Sequence, residues 1–140
     1  MPPRLFTVAE ANDLLPTLEP LVRRLMENRL QLRRHQAVVE EFRRRAAGNG
    51  GAFLGGRFTQ AKQEVQRLAA ELSEGIREVE SLGCQVKDLD IGLVDFPARR
   101  GREQVLLCWR LGESRISYWH GLEEGFAGRK PLEDIPENLD

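Results

Sequence analysis

From Leu18 onward the apolar positions of the N-terminal half fall at Leu18, Leu21, Leu25, Leu32, Val39, Phe42 and Ala46. That is the three-and-four spacing of one helix face. Written as a heptad seam, it also takes in Asn28 and His35, polar seam residues whose ordinary role is to set register and whose other possible role is as ligands. A second run, about 58–82, repeats the spacing with Ala61, Val65, Leu68, Leu72, Val79 and Leu82. Between the runs Gly48, Asn49, Gly50, Gly51, Ala52, Phe53, Leu54, Gly55 and Gly56 break both patterns and read as a mobile loop. Two seams of similar length joined in this way predict an antiparallel helical hairpin.

Upstream, Thr7-Val8-Ala9-Glu10 fits a helix-start box: Thr accepts from the first turn and Glu reaches back to the Thr amide. Pro16 disfavours a helical residue before it. A first helix is therefore expected to stop near Leu15 and a second to start at Thr17, with Pro20 in its first turn. One continuous helix kinked at both prolines is the alternative. Gly83 follows the second seam and suits a left-handed helix end.

The periodicity changes at Gly92. Three strands are expected, about Gly92–Phe96, Gln104–Leu111 and Arg115–His120, with Gly112-Glu113 as a two-residue hairpin turn. That turn sets Trp109 opposite Ile116, Leu107 opposite Tyr118 and Val105 opposite His120. A five-residue turn before it sets Asp95 opposite Val105. Asp95, Val105 and His120 then form one row whose outer backbones lie about 9–10 Å apart, too far for a direct hydrogen bond but close enough to converge on a ligand. The opposite face would hold Leu106, Cys108, Ser117 and Trp119.

Both sheet faces, and the outer helix positions Val22, Leu30 and Val38, exceed what one small fold needs to bury. Those three, with Phe96, Leu106 and Trp119, are the expected self-association or partner surface. A homodimer would cover them, and docking of the N-terminal segment or the tail would compete. The expectation is a single α+β domain over residues 1–140, a long antiparallel helical hairpin packed on a three-stranded antiparallel β-meander. It divides into a helical part over 1–83 with a loop at 48–57, the meander over 84–121, and an acidic C-terminal tail over 122–140.

Charge narrows the function classes. The net charge is −1 with 31% charged residues, and the Arg33-Arg34 and Arg43–Arg45 clusters sit among Glu on a helix without aromatic interleaving, which argues against nucleic acid. Residues 18–47 carry eight Arg against four Glu, and 58–82 carry five Glu against three Lys plus Arg, so charge favours the two helices lying together. No apolar run approaches the ~18 residues of a membrane span, and no signal-peptide core follows Met1. Two Cys in dissimilar contexts make no disulfide framework, and a reducing cytoplasm is the simplest home.

No catalytic or cofactor motif of high specificity is present. His120 ends a strand, with Glu123 and Glu124 three and four residues on; with Asp95 they form a candidate divalent-metal site. The plainer reading is a structural His and a turn-capping Asp. Cys108 lies mid-strand and reads as a buried, inert thiol, with no positive group arranged to depress its pKa. Gly125 to Lys130 offers two glycines with Arg129 and Lys130, an anion cradle without the P-loop pattern.

Phe6 to Pro16, Gly92 to Pro97, Leu107-Cys108-Trp109 through Gly112-Glu113 to Tyr118-Trp119-His120, and Gly125-Phe126 with Gly128-Arg129 together resemble a family of small bacterial proteins. It is catalogued only as a domain of unknown function, DUF2203. The resemblance covers nearly the whole chain and implies a stand-alone bacterial cytoplasmic protein. It brings no activity, cofactor or site residues. The leading functional expectation is a non-enzymatic interaction or scaffold protein that self-associates. A metal- or small-ligand-binding protein, conceivably an enzyme, is the alternative.

Overall fold

The computed structural model describes residues 4–48 and 55–132. Two long helices, α1 (Val8–Gly48) and α2 (Gly55–Glu80), precede five strands: β1 (Gln85–Asp88), β2 (Leu93–Arg100), β3 (Glu103–Arg110), β4 (Tyr118–Gly121) and β5 (Lys130–Pro131). A 3₁₀ turn, Phe126–Gly128, lies between β4 and β5. The strands form one antiparallel sheet in chain order. The architecture is α+β, but the sheet has five strands rather than three. The two added strands are short edges that carry no alternating pattern. One of them, β5, lies inside the stretch expected to be tail. Residues 49–54, most of the expected glycine loop, and residues 133–140 lie outside the described residues.

The helix-start box forms as its residues dictate. Thr7 N–H donates to Glu10 Oε1 at 2.9 Å, and Glu10 N–H donates to Thr7 Oγ1 at 3.0 Å. These bonds, to the Thr7 amide first, hold the Glu10 carboxyl below the usual carboxylate range. The expected break at Pro16 does not occur; α1 runs through both prolines for 41 residues, about 60 Å at the α-helical rise. Pro16 and Pro20 are one turn apart and both exposed, so their rings lie on the wet side of the helix. On the dry side Leu15, Leu18, Val22 and Leu25 are buried. Each contributes about 1.5–3 kcal/mol, and together they outweigh about 3 kcal/mol per interior proline.

Gly83 ends the second helical stretch at φ +103°, and its N–H donates to Glu80 O at 3.0 Å. Gly75 on α2 makes room for Leu25 of α1, since a Cβ there would collide with the Leu25 side chain. The expected charge pairing between the helices is not realised. Among the described residues, the helical arginines pair within their own helices, as Arg67 does with Glu64 and Glu71, or with Asp90, as Arg29 and Arg33 do. Partners three or four residues away are reached at less conformational cost than partners on another helix.

One sheet face packs on the helices through Val94, Phe96, Ala98, Val105, Leu107, Trp109 and Trp119. Phe6 meets Phe96 edge-to-face at 5.2 Å, and its N–H donates to Pro97 O at 2.7 Å. The N-terminal segment therefore covers part of what a second subunit was expected to cover. Val22, Phe96, Leu106 and Trp119 are all buried within the chain, and only Leu30 and Val38 of the expected surface are exposed. The core takes nothing from α1 beyond Met26. Past that point Arg29 and Arg33 still reach Asp90, and beyond Arg33 α1 packs against α2, as where Phe42 meets Phe58 at 6.0 Å, so about 20 Å of hairpin projects beyond the sheet.

The strand register is shifted from expectation. The first turn is two residues, Gly101-Arg102 between Arg100 and Glu103, rather than five. The second spans residues 111–117 rather than two. It is pinned by Trp109 Nε1–H to Glu113 O (2.9 Å) and by Ile116 N–H to Asn12 Oδ1 (2.7 Å). His120 therefore faces Leu106, not Val105, and Asp95 faces Cys108. A one-residue slip reverses which face a side chain occupies. Here it sends Trp119 into the core and His120 to the opposite face.

Candidate metal centre

On the sheet face turned away from the helices, three adjacent strands each contribute one donor side chain: Asp95 from β2, Cys108 from β3 and His120 from β4. Asp95 and Cys108 are direct cross-strand partners, and His120 is diagonal to Cys108. Their relative exposures are 1%, 0% and 2%, so all three are closed from solvent. One ligand atom from each lies within 4.8 Å of the other two. Among the described residues no other group of three His, Cys, Asp or Glu donors converges in this way.

The orientation of His120 is set by its neighbour's backbone. Nδ1 lies 2.8 Å from Gly121 O, and a carbonyl oxygen only accepts, so Nδ1 carries the hydrogen. That leaves Nε2 pointing inward, 3.1 Å from Asp95 Oδ2. The second carboxylate oxygen, Asp95 Oδ1, is buried without a hydrogen-bond partner. An unmet buried acceptor of this kind costs about 1–3 kcal/mol. The expected wide row is thus a direct contact, because the register brings the two side chains together over β3.

Burial, and then the Asp95 charge, pushes the Cys108 thiol up to about 12, with Arg129 acting in the opposite direction. A bare Cys108 is therefore a neutral thiol. It is also no nucleophile: the imidazole directs one nitrogen to a carbonyl and the other to Asp95, so neither is placed to take a thiol proton. A divalent ion alters the chemistry, because a coordinating thiol gives up its proton.

The donor set suits such an ion. Imidazole nitrogen, carboxylate oxygen and thiolate sulfur are zinc-type ligands at about 2.0–2.3 Å, and tetrahedral geometry puts ligand atoms about 3.3–3.8 Å apart. The Asp95–His120 separation is already close to that, and the thiol needs at most about 1 Å of contraction. The backbone-anchored Nδ1–H is the outer-shell bond that fixes a metal-binding tautomer. Asp95 and a Cys108 thiolate would neutralise a divalent ion, while Arg129, the nearest cation to the thiol, is balanced by Glu113 at 2.7 Å. Magnesium and calcium, which prefer all-oxygen shells, fit this set poorly.

The other expected site residues are elsewhere. Glu123 and Glu124 are exposed and supply no ligand atom. Glu124 Oε1 instead accepts from Gly121 N–H at 2.9 Å and from Lys130 Nζ at 2.5 Å. Arg129 and Lys130 are thereby both partnered by carboxylates. Arg129 also donates to Cys108 O at 3.1 Å and lies over the rings of Tyr118 (4.2 Å) and Phe126 (4.7 Å). Asn28 and His35 are half-buried on α1, and His35 Nδ1 lies 2.8 Å from Gln31 O in its own helix. Cys108 is the member that sequence reasoning left out of the centre. Its mid-strand position between two apolar residues marks burial, and only the correct register reveals its partners.

No helix among the described residues is long and apolar enough to cross a membrane. No curated protein and no solved structure matches the chain. One family profile matches residues 4–132, described as "Uncharacterized conserved protein (DUF2203)". The chain belongs to that family, and the matched stretch spans all three donors of the centre.

Proposed function

We propose that this protein binds a single divalent metal ion of the zinc type on the Asp95 carboxylate, Cys108 Sγ and His120 Nε2. The observation that carries the reading is the pairing of a backbone-anchored His120 with a buried carboxylate that has one oxygen unmet, within reach of a thiol. The ion would satisfy the carboxylate, tie β2, β3 and β4 together on their outer face, and leave a fourth position to a non-protein ligand. Because the donors are closed from solvent, the ion is resident in this reading, and the count of three protein donors leaves its fourth position open. Elemental analysis of untagged, gently purified protein tests it, alongside His120→Ala. Near-stoichiometric zinc in the wild type and its loss in a folded variant is the expected result. Wild-type protein that takes up no zinc or cobalt at micromolar concentration would sink the reading.

A second reading is self-association through the projecting hairpin. Leu30 and Val38 are the exposed large apolar residues of α1, at 44% and 46%. The arginine excess of α1 and the glutamate excess of α2 suit a second copy laid antiparallel across the first. Light scattering that finds a monodisperse monomer at tens of micromolar overturns it, and Leu30→Asp should dissociate any dimer.

A further inference from the structure

The sheet face that carries the three donors is the one the helices leave free, and residues 122–132 run across its β4 side. This return strand is lightly held. Its only ladder pairs are Tyr118 with Pro131 and Trp119 with Lys130. Residues 122–125 are exposed, Leu122 at 54%. Leu132 holds the strand's end, by an N–H bond to Ser117 O and by packing at the core edge, and on the donor face the strand is held by Arg129. Its guanidinium spans Tyr118 and Phe126, donates to the carbonyl of Cys108 itself, and pairs with Glu113 across the sheet.

Glu113 is a stiff anchor. Its Oε1 also accepts from Arg110 N–H at 2.7 Å, its N–H donates to Arg110 O at 3.0 Å, and its carbonyl takes the Trp109 indole hydrogen. The Arg129–Glu113 pair is also mostly shielded, with side-chain exposures of 13% and 24%. It is therefore worth more than the exposed pairs along the helices.

We infer that residues 122–132 are a door over the Asp95–Cys108–His120 centre and that Arg129–Glu113 is its latch, so that an ion enters or leaves only when this pair parts. This rests on the metal reading above, and it adds the route and the control of exchange. Opening needs local loss of the β5 ladder, of the Leu132 N–H bond to Ser117 O with Leu132's packing at the core edge, and of the Arg129–Glu113 pair, while the rest of the core stays folded. Arg129 and Glu113 touch no ion in this arrangement and act as positioning residues.

The test uses full-length protein loaded with Co²⁺ and then mixed with excess EDTA, following loss of the cobalt–thiolate absorption. Slow release from wild type is expected, faster by about tenfold in Glu113→Gln and in Arg129→Gln, with the double variant no faster than either single one. Glu113→Gln retains an oxygen for the Arg110 N–H, and circular dichroism checks that each variant is folded. A metal-free readout runs beside it: maleimide labelling of native protein, resolved by mass spectrometry into Cys108 and Cys84. Faster labelling at Cys108 alone, with Cys84 as internal control, supports the door. Selective Cys108 labelling in a protein that binds no metal would keep the door and remove the metal reading. Bound metal with release and labelling unchanged in both variants would keep the metal and overturn the door.

Discussion

His120 Nε2 stands 3.1 Å from Asp95 Oδ2, although a whole strand lies between the two residues and neither side chain is more than 2% exposed. A carbonyl already occupies the other imidazole nitrogen. The inward nitrogen therefore meets the carboxylate directly, in a site closed from water. Removing one partner strands the other in a dry site. Asp95→Ala and His120→Ala should each cost about 3–5 kcal/mol in urea unfolding, and the double variant clearly less than their sum. Additive losses would show that the two side chains are not energetically coupled.

Both cysteines are held as thiols. Burial is the main cause at each, raising Cys84 to about 11 and Cys108 to about 12. In metal-free protein at pH 8, native thiols should resist labelling, and two should react after denaturation. The folded state binds these protons more tightly than the unfolded chain does. Their contribution is therefore complete below about pH 8.5, the unfolded thiol value, and is lost as pH rises through about 11–12. Comparing urea midpoints at pH 7 and pH 10 checks this, since Cys108→Ala should flatten part of the alkaline decline. An equally steep decline in that variant would remove Cys108 as a cause.

Metal should raise the melting temperature through the centre alone. Excess zinc at a hundred times its dissociation constant adds about 2.7 kcal/mol to the folded state. Scanning calorimetry should show that gain in the wild type and its absence in Asp95→Ala. A rise of equal size in both would place the binding elsewhere.

Pro16 is a local cost accepted for burial of the opposite face. Pro16→Ala restores a backbone donor on an exposed position and should stabilise the chain by about 1–3 kcal/mol. A loss of stability would mean that the proline sets a bend that the core requires.

What was legible in the sequence tracks what is decided locally. The seam from Leu18 to Leu25, the reciprocal Thr7–Glu10 cap and the Gly83 helix end all follow from residues within one or two turns, and all form. The prolines misled because Leu15, Leu18, Val22 and Leu25 gain from burial in a core shared with the sheet, a partner distant in sequence. The centre was half legible. Asp95 and His120 stood out as chemistry, but Cys108 did not. Whether it joins them depends on a seven-residue connection whose geometry is set by Glu113, Trp109 and Asn12, rather than on a two-residue turn at Gly112-Glu113. β1 and β5 carry too few residues to show any alternation.

The core takes no residue from α1 beyond Met26, while the helix continues to Gly48. Reach and chemistry are therefore separate variables in this molecule. Removing matched turns from the outer parts of α1 and α2 would shorten its span by about 5 Å per turn and move no donor atom at the sheet. The outer hairpin is thus free to vary in length among related chains under selection quite different from that on the three strands.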